Sequence, residues 1–199
     1  MFLTSLPMLL RNALIGLLTV QLPVNIAIVA AAAQRTEAVE PYEPEAAARA
    51  WKSIVLHHSA TSGGSVDAID AVHRRRRDAD GKPWRGIGYH FVVGNGHSMR
   101  DGEIQPTFRW RQQLAGAHAG RHEENESGIG ICLIGNFDEA PPTEKQLAAL
   151  SRLLQTLSTR YAIGRGRVLR HKDVQNTLCP GALFPWEQVL ADVPKAGGS

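Results

Sequence analysis

Arg170-His171-Lys172-Asp173-Val174-Gln175-Asn176-Thr177-Leu178-Cys179-Pro180 is the stretch on which the reading of this chain turns. It sets an imidazole and a thiol eight positions apart, too far for one helical face and too near for two independent elements. If the two share a task, a loop must fold them together. Neutral imidazole nitrogen and thiolate sulfur suit Zn²⁺, which binds four ligands tetrahedrally and, at catalytic sites, leaves one position for water. Two ligands do not make a site. A buried thiol is also a common core residue, and a lone histidine is more often a satisfied core or surface group than a ligand. A third donor has to come from a rigid element elsewhere. The best placed is His57, near the end of the apolar run Ser53-Ile54-Val55-Leu56-His57-His58-Ser59-Ala60-Thr61, a strand pattern that holds its last side chains at a sheet margin.

Length and composition allow one domain with a single core once leading and trailing segments are set aside. The formal charge of +3 includes Arg11, so residues 34–199 carry +3 − 1 = +2, too little to argue for nucleic acid. Residues 1–33 differ in kind: Met1 to Arg11 has one basic side chain and no acid, Asn12 to Val29 is mostly apolar, and Ala30 to Ala33 are small. That order is expected of an export signal. The rival is an uncleaved anchor, since Ala13 to Ala33 is long enough to cross a bilayer. Gln21, Pro23 and Asn25 interrupt the run and the alanines follow it, which favours cleavage. Either way the domain is expected outside the cytoplasm, in the periplasm, the cell envelope or the medium. Any membrane contact would come through an uncleaved leader, and no cysteine near the end of the apolar run offers a lipid attachment point.

An exported protein with two cysteines invites a disulfide. Cys132, however, lies in the apolar run Gly128-Ile129-Gly130-Ile131-Cys132-Leu133-Ile134-Gly135, where a thiol behaves as a small hydrophobe, and Cys179 sits in a polar loop. Their settings argue against a bridge.

Gln34 to Ala50, rich in Glu, Ala and Pro, reads as a linker or arm leading into the domain, and the folded unit is expected from Trp51. Trp51 to His58 predicts the first strand. Ser65 then caps a helix to about Arg77 with Val66, Ile69 and Val72 inward. Arg74 to Arg77 suit the negative end of that helix dipole. A nucleic-acid patch would need aromatic stacking platforms or a second basic cluster, and neither accompanies the run. Asp78 to Pro83 is turn chemistry without the carboxylate spacing of a calcium loop. Gly88 to Val93 predicts a second strand and His97 to about Ile104 a third, joined at Gly94-Asn95-Gly96. Gln112 to Asn125 reads as a loop on the functional face, and Ile129 to Ile134 as a buried central strand. Thr143 and Gln146 form a capping box ahead of Leu147, Leu150, Leu154, Leu157 and Tyr161 at helical spacing. Arg167 to Arg170 is a last short strand feeding the His171 loop, Trp186 to Val193 a closing helix, and residues 194–199 a tail. The fold class is α/β: a single domain, residues 51–193, with a central mixed β-sheet flanked by helices.

Five blocks of the chain together resemble, in order, those of the zinc N-acetylmuramoyl-L-alanine amidases, the family that also holds the peptidoglycan recognition proteins and the phage lysozyme-like amidases. They are Ile54 to Ala60, Trp84 to Phe91, Gly116 to Gly120, Ser127 to Phe137 and His171 to Gly181, and the resemblance spans the predicted domain. It implies one zinc per chain in an open groove, with His57, His171 and Cys179 as ligands. It also implies peptidoglycan or muropeptides as partner and hydrolysis of the amide between N-acetylmuramic acid and L-alanine. Tyr89 matches the tyrosine that faces the zinc-bound water. Thr177 matches a position that is lysine in phage members and often threonine in recognition proteins. His118 and Trp84 match groove positions that touch the muramyl or peptide part of the substrate. Asp173 or Asn176 is expected to hydrogen-bond a ligand. His73, His97 and His122 have no assigned partner and are expected at the surface.

Two other functions compete. A non-catalytic peptidoglycan-binding module of the same fold is expected to have lost a ligand, and none of the three is missing here. A thiol hydrolase using Cys179 with His171 as base would survive chelation, but the chain lacks an oxyanion signature.

Overall fold

The structure, a computed structural model, describes residues 42–78, 80–193 and 195. The expected leader therefore lies outside the described residues, as do residues 34–41 of the linker and all of the tail but Lys195. Among the described residues no helix is long and apolar enough to cross a membrane.

Five strands form one mixed sheet in the order β3-β2-β4-β1-β5. They are β1 (Ser53–His58), β2 (Phe91–Val93), β3 (Ile104–Pro106), β4 (Gly128–Leu133) and β5 (Val168–Arg170). β1 runs parallel to both β4 and β5, β2 runs parallel to β4, and only the edge strand β3 is antiparallel. Side chains alternate across a strand, so each strand serves two layers. Ile54, Leu56, Phe91, Val93, Ile129, Ile131 and Leu133 pack with Leu150, Leu153, Leu154 and Leu157 of the long helix, α4 (Glu144–Tyr161). On the opposite face Val55 meets Ala119 and Val174, while Val92 meets Ile87, Met99 and Ile134. Covering both faces explains why β1 and β4 are buried at every position.

The other helices are short: α1 (Val66–His73), α2 (Phe108–Arg111), α3 (His122–Ser127), α5 (His171–Val174) and α6 (Trp186–Ala191). The helix α4 begins as its sequence requires. Gln146 N donates to Thr143 Oγ1 at 3.0 Å and Thr143 N to Gln146 Oε1 at 3.2 Å, closing the predicted capping box. Thr143 Oγ1 also donates to Asp101 Oδ1, which ties the helix start to the loop ahead of β3. The helix ends where Ala162 turns left-handed at φ 52°.

Several boundaries differ from expectation. The segment before Trp51 packs on the domain where it is described, as an arm rather than a free tether. The Tyr42 ring stands edge-on to Phe91 and its carbonyl accepts from Trp110 Nε1, while Glu43 pairs with Arg160. The third strand begins at Ile104, because Gly96 and Gly102 hold positive φ and Gly94 exchanges backbone bonds with Glu103 and Gly102 inside the turn. The helix α1 stops at His73, short of Arg77, and its inward stripe is Val66, Ile69 and His73. Val72 falls beside that stripe and is 53% exposed. The predicted functional-face loop gives way to α3 at His122. Both cysteines are free, as their settings implied.

Replacing the capping residue tests the helix start. Thr143→Ala is expected to lower stability by about 1 kcal/mol, read as a shifted urea midpoint with an unchanged slope.

Candidate metal centre

The sheet register places the two histidines. In the parallel pairing of β1 with β5, Leu56 stands opposite Arg170. The next residues, His57 and His171, therefore leave neighbouring strand ends at one level, and their ring centroids lie 4.4 Å apart. Carboxyl ends of parallel strands are where open α/β sheets commonly hold their sites. From His171 the chain makes one helical turn and folds back so that Lys172 N donates to Cys179 O at 2.9 Å. Thr177 Oγ1 accepts from Cys179 N at 3.3 Å and shapes the same return. The Cys179 sulfur then receives His58 N at 3.3 Å and stands 3.9 Å from His57 Nδ1. One donor atom from each of His57, His171 and Cys179 lies within 4.8 Å of the others.

The remaining ring nitrogens have partners. His171 Nε2 stands 2.8 Å from Gln175 Oε1. An amide oxygen only accepts, so His171 carries its proton on Nε2 and presents an Nδ1 lone pair. Asp173 and Asn176 were the expected supports. Asp173 is instead held by Arg170, with Oδ1 accepting from Nη2 at 2.8 Å, and the helical spacing of four gives the task to Gln175. His57 Nε2 stands 3.1 Å from His118 Nδ1, and His118 Nε2 stands 3.2 Å from Gly128 O.

Burial dominates the electrostatics. It holds His57 well below the usual histidine range, with neighbouring His118 and His171 adding to the effect. Burial pushes the Cys179 thiol up to about 12; the His58 N–H opposes this and Asp138 adds to it. A thiol raised in this way is no ready nucleophile, since reactive cysteines sit in electropositive settings that lower their pKa. A coordinating divalent cation would deprotonate it outright. Two neutral imidazoles and one thiol form a donor set that fits Zn²⁺ with a position to spare.

His171 and Cys179 open into a cleft of about 690 Å³, which Tyr89, Trp84, His118, Thr177 and Arg76 help to line, while His57 is buried behind them. The Tyr89 ring centroid is 5.0 Å from that of His57, and burial, then the Cys132 and Cys179 thiols, raise its pKa well above the ordinary tyrosine value. Trp84 receives the His73 ring edge-on at 5.3 Å, and the Arg76 guanidinium stands 5.3 Å from its centroid. Arg76 and Arg77 thus form part of the cleft wall, where the sequence predicted only a solvated helix end.

His118 lines the cleft with 7% of its surface exposed, and both its ring nitrogens stand against protein partners. His73, expected at the surface, is 4% exposed and accepts Gly88 N through Nδ1 at 3.0 Å; His97 and His122 are exposed as expected. Arg109, which sequence reasoning passed over, is 7% exposed and donates to the carbonyls of Ile87 and Ala115. It thereby ties together the two loops that carry Tyr89 and His118. The signal for it was a cation inside the aromatic segment Phe108-Arg109-Trp110, which no ion-pair pattern explained.

Comparison with known proteins bears on this arrangement. Residues 47–182 match the family described as N-acetylmuramoyl-L-alanine amidase. The chain belongs to this amidase family. It is 32% identical over 151 residues to Peptidoglycan recognition protein 3 of Mus musculus, a match covering 73% of this chain and 40% of the mouse protein. Among solved structures it is similar to N-acetylmuramoyl-L-alanine amidase LysC from Clostridium intestinale, with 32% identity, TM-score 0.59, and coverage of 75% and 91% of the two chains. A tracheal cytotoxin complex of the ectodomains of peptidoglycan recognition proteins LCa and LCx is similar at 27% identity and TM-score 0.53, covering 71% and 85%. The single mixed sheet with flanking helices is thus the amidase-family fold.

In this amidase-family chain the buried histidines link stability to pH. Burial lowers His73 to about 4, with Arg76 and Arg109 adding and Asp70 opposing. The unfolded chain, titrating near 6.5, binds more protons between those values, so stability present above pH 6.5 is lost as pH falls toward 4. The loss from His73 is at most about 3 kcal/mol. His73→Asn keeps an acceptor for Gly88 N and is expected to flatten this part of the pH dependence in urea titrations; an unchanged profile would count against the assignment.

Proposed function

We propose that this chain is an exported zinc hydrolase that cleaves the amide joining N-acetylmuramic acid to L-alanine in peptidoglycan stem peptides. The observation that carries the reading is the convergence of His57, His171 and Cys179 donors within 4.8 Å of one another, His171 and Cys179 on the wall of an open cleft and His57 buried behind them. Family membership supports the reaction class, and the likeness to LysC supports an amidase over a recognition module. The family also includes peptidoglycan recognition proteins. A chain that only binds has no need of a complete donor set beside a tyrosine hydroxyl. Export rests on the order of basic, apolar and small residues in positions 1–33, removed as a signal or kept as an anchor.

His57 and His171 would hold the metal through Nδ1 and Cys179 through its sulfur. When bound, Zn²⁺ supplies a Lewis acid and lowers the pKa of water to about 7. Tyr89, whose ring centroid stands 5.0 Å from that of His57, would supply the O–H donor that holds the scissile carbonyl oxygen as negative charge develops on it. Thr177, whose oxygen already accepts from Cys179 N, keeps its own proton free to donate into the cleft. Trp84 and Arg76 give the groove a flat face and a positive charge, suited to a sugar ring and to the carboxylates of a stem peptide.

Digestion of purified peptidoglycan with and without a chelator tests the reaction. Stem peptides with new L-alanine amino termini are expected, lost on chelation and regained with zinc. His57→Ala and Cys179→Ala are each expected to abolish turnover and weaken zinc binding; a fully active Cys179→Ala protein would overturn the reading. Tyr89→Phe is expected to retain zinc while turnover falls about 100-fold, the usual effect of losing one oxyanion donor. Parental turnover in that variant would deny the hydroxyl a chemical role.

A further inference from the structure

The contact between His57 and His118 joins two imidazoles, and which of them donates is settled by what stands behind His118. His118 Nε2 faces the carbonyl oxygen of Gly128 at 3.2 Å, and a carbonyl can only accept. That nitrogen therefore carries the proton. No carboxylate is among the hydrogen-bond partners of the His118 ring, which is 7% exposed, so nothing compensates a second proton and Nδ1 keeps its lone pair. The 3.1 Å contact from His118 Nδ1 to His57 Nε2 then requires His57 to donate. A neutral His57 with its proton on Nε2 has its lone pair on Nδ1, the atom that stands 3.9 Å from the Cys179 sulfur.

The backbone is shaped to hold this arrangement. The His118 ring lies in a slot between Gly116 and Gly130, where a Cβ on either glycine would run into the ring. Asn125 Oδ1 accepts from the backbone N–H of both His118 and Ala119, at 2.8 and 3.0 Å, and so fixes the loop that delivers the ring. Gly130 is the residue paired with Val55, two before His57 on β1, so the slot lies along the sheet just behind the histidine it serves.

We infer that His118 is a positioning residue: with the Gly128 carbonyl it forms a two-step relay that locks His57 in its Nε2–H tautomer and aims the Nδ1 lone pair at the metal position. The inference deepens the zinc reading above and rests on it for the identity of the metal. Ligating histidines usually donate their second N–H to a carboxylate, a carbonyl or water. Here the acceptor is a neutral imidazole that is itself oriented by a backbone carbonyl, and no acidic group enters the relay.

The test uses the full-length, metal-free chain with ¹⁵N-labelled histidine. Two-bond ¹⁵N–¹H correlations are expected to place the His57 proton on Nε2, and a proton on Nδ1 would overturn the relay. His118→Phe keeps a planar ring in the slot without either nitrogen. It is expected to give mixed His57 tautomers and to weaken zinc affinity by roughly 10–100-fold, measured by chelator competition. His118→Asn restores an acceptor close to the position of Nδ1 and is expected to recover most of that affinity, which a residue serving only to pack would not do. Parental tautomer and affinity in His118→Phe would overturn the proposal. Should that variant fail to fold, the spectrum of the parent chain still decides. A parent chain that binds no zinc would overturn the metal assignment, and the tautomer spectrum would still decide the relay.

Discussion

The site depends on one register: β1 and β5 run parallel with Leu56 opposite Arg170. A slip of one residue in either strand would turn its histidine to the other face of the sheet. The register is protected by burial. Along β1 the even residues Ile54 and Leu56 enter the core against α4, while Val55 enters the smaller cluster on the other face. Shifting the strand would bring His57 into the leucine layer and expel Leu56 from it, at a cost of several kcal/mol. The apolar packing of a helix far from the cleft thus enforces the meeting of two polar rings at the strand ends.

Behind the donors lies a second set of constraints made from backbone rather than charge. Gln175 and the His118–Gly128 pair take up the outer nitrogens of His171 and His57. Arg109 joins the loops bearing Tyr89 and His118 through two carbonyls. His90 accepts from Gly130 N at 2.9 Å through Nδ1 and sets Nε2 against Leu114 O at 3.0 Å, which holds the glycine side of the His118 slot. The surroundings are polar but almost without formal negative charge. An arriving cation would therefore meet oriented lone pairs and one ionisable thiol, a combination that favours a borderline-soft metal over Mg²⁺ or Ca²⁺.

Much of this was legible in the chain. The strands β1 and β4 announced themselves as unbroken apolar runs, and the Thr143–Gln146 box marked the start of α4, because both signals are local. The strand pattern made His57 a candidate partner for His171 and Cys179 and the pattern of blocks supported it, but the distance between β1 and β5 is not written in either segment. What escaped was the part set by tertiary neighbours. His73 looked like a surface residue because no partner could be named for it, yet it fills the inward position that α1 offers next to Gly88. His118 matches a groove position by its motif, and it does line the cleft, but its hydrogen bonds to His57 and Gly128 were not legible. The clue to its inward role was Gly130, a glycine at a mid-strand position where a β-branched residue would be favoured.

The same glycine argument reaches the cleft. A Cβ at Gly88 would run into the carbonyl of Ala117, so the segment carrying Tyr89 lies directly against the loop carrying His118. Ala117 N donates to Gly88 O at 3.0 Å across that contact. Tyr89 and His118 are therefore placed by one backbone junction, and their rings stack with centroids 6.4 Å apart beside His57. A change at this junction would move the Tyr89 phenol and the His118 imidazole together, and both rings lie against His57. Gly88 allows the close approach of main chains and Gly130 leaves room for the His118 ring, so glycine at 88 and 130 is required by the packing of the candidate site as much as by the sheet.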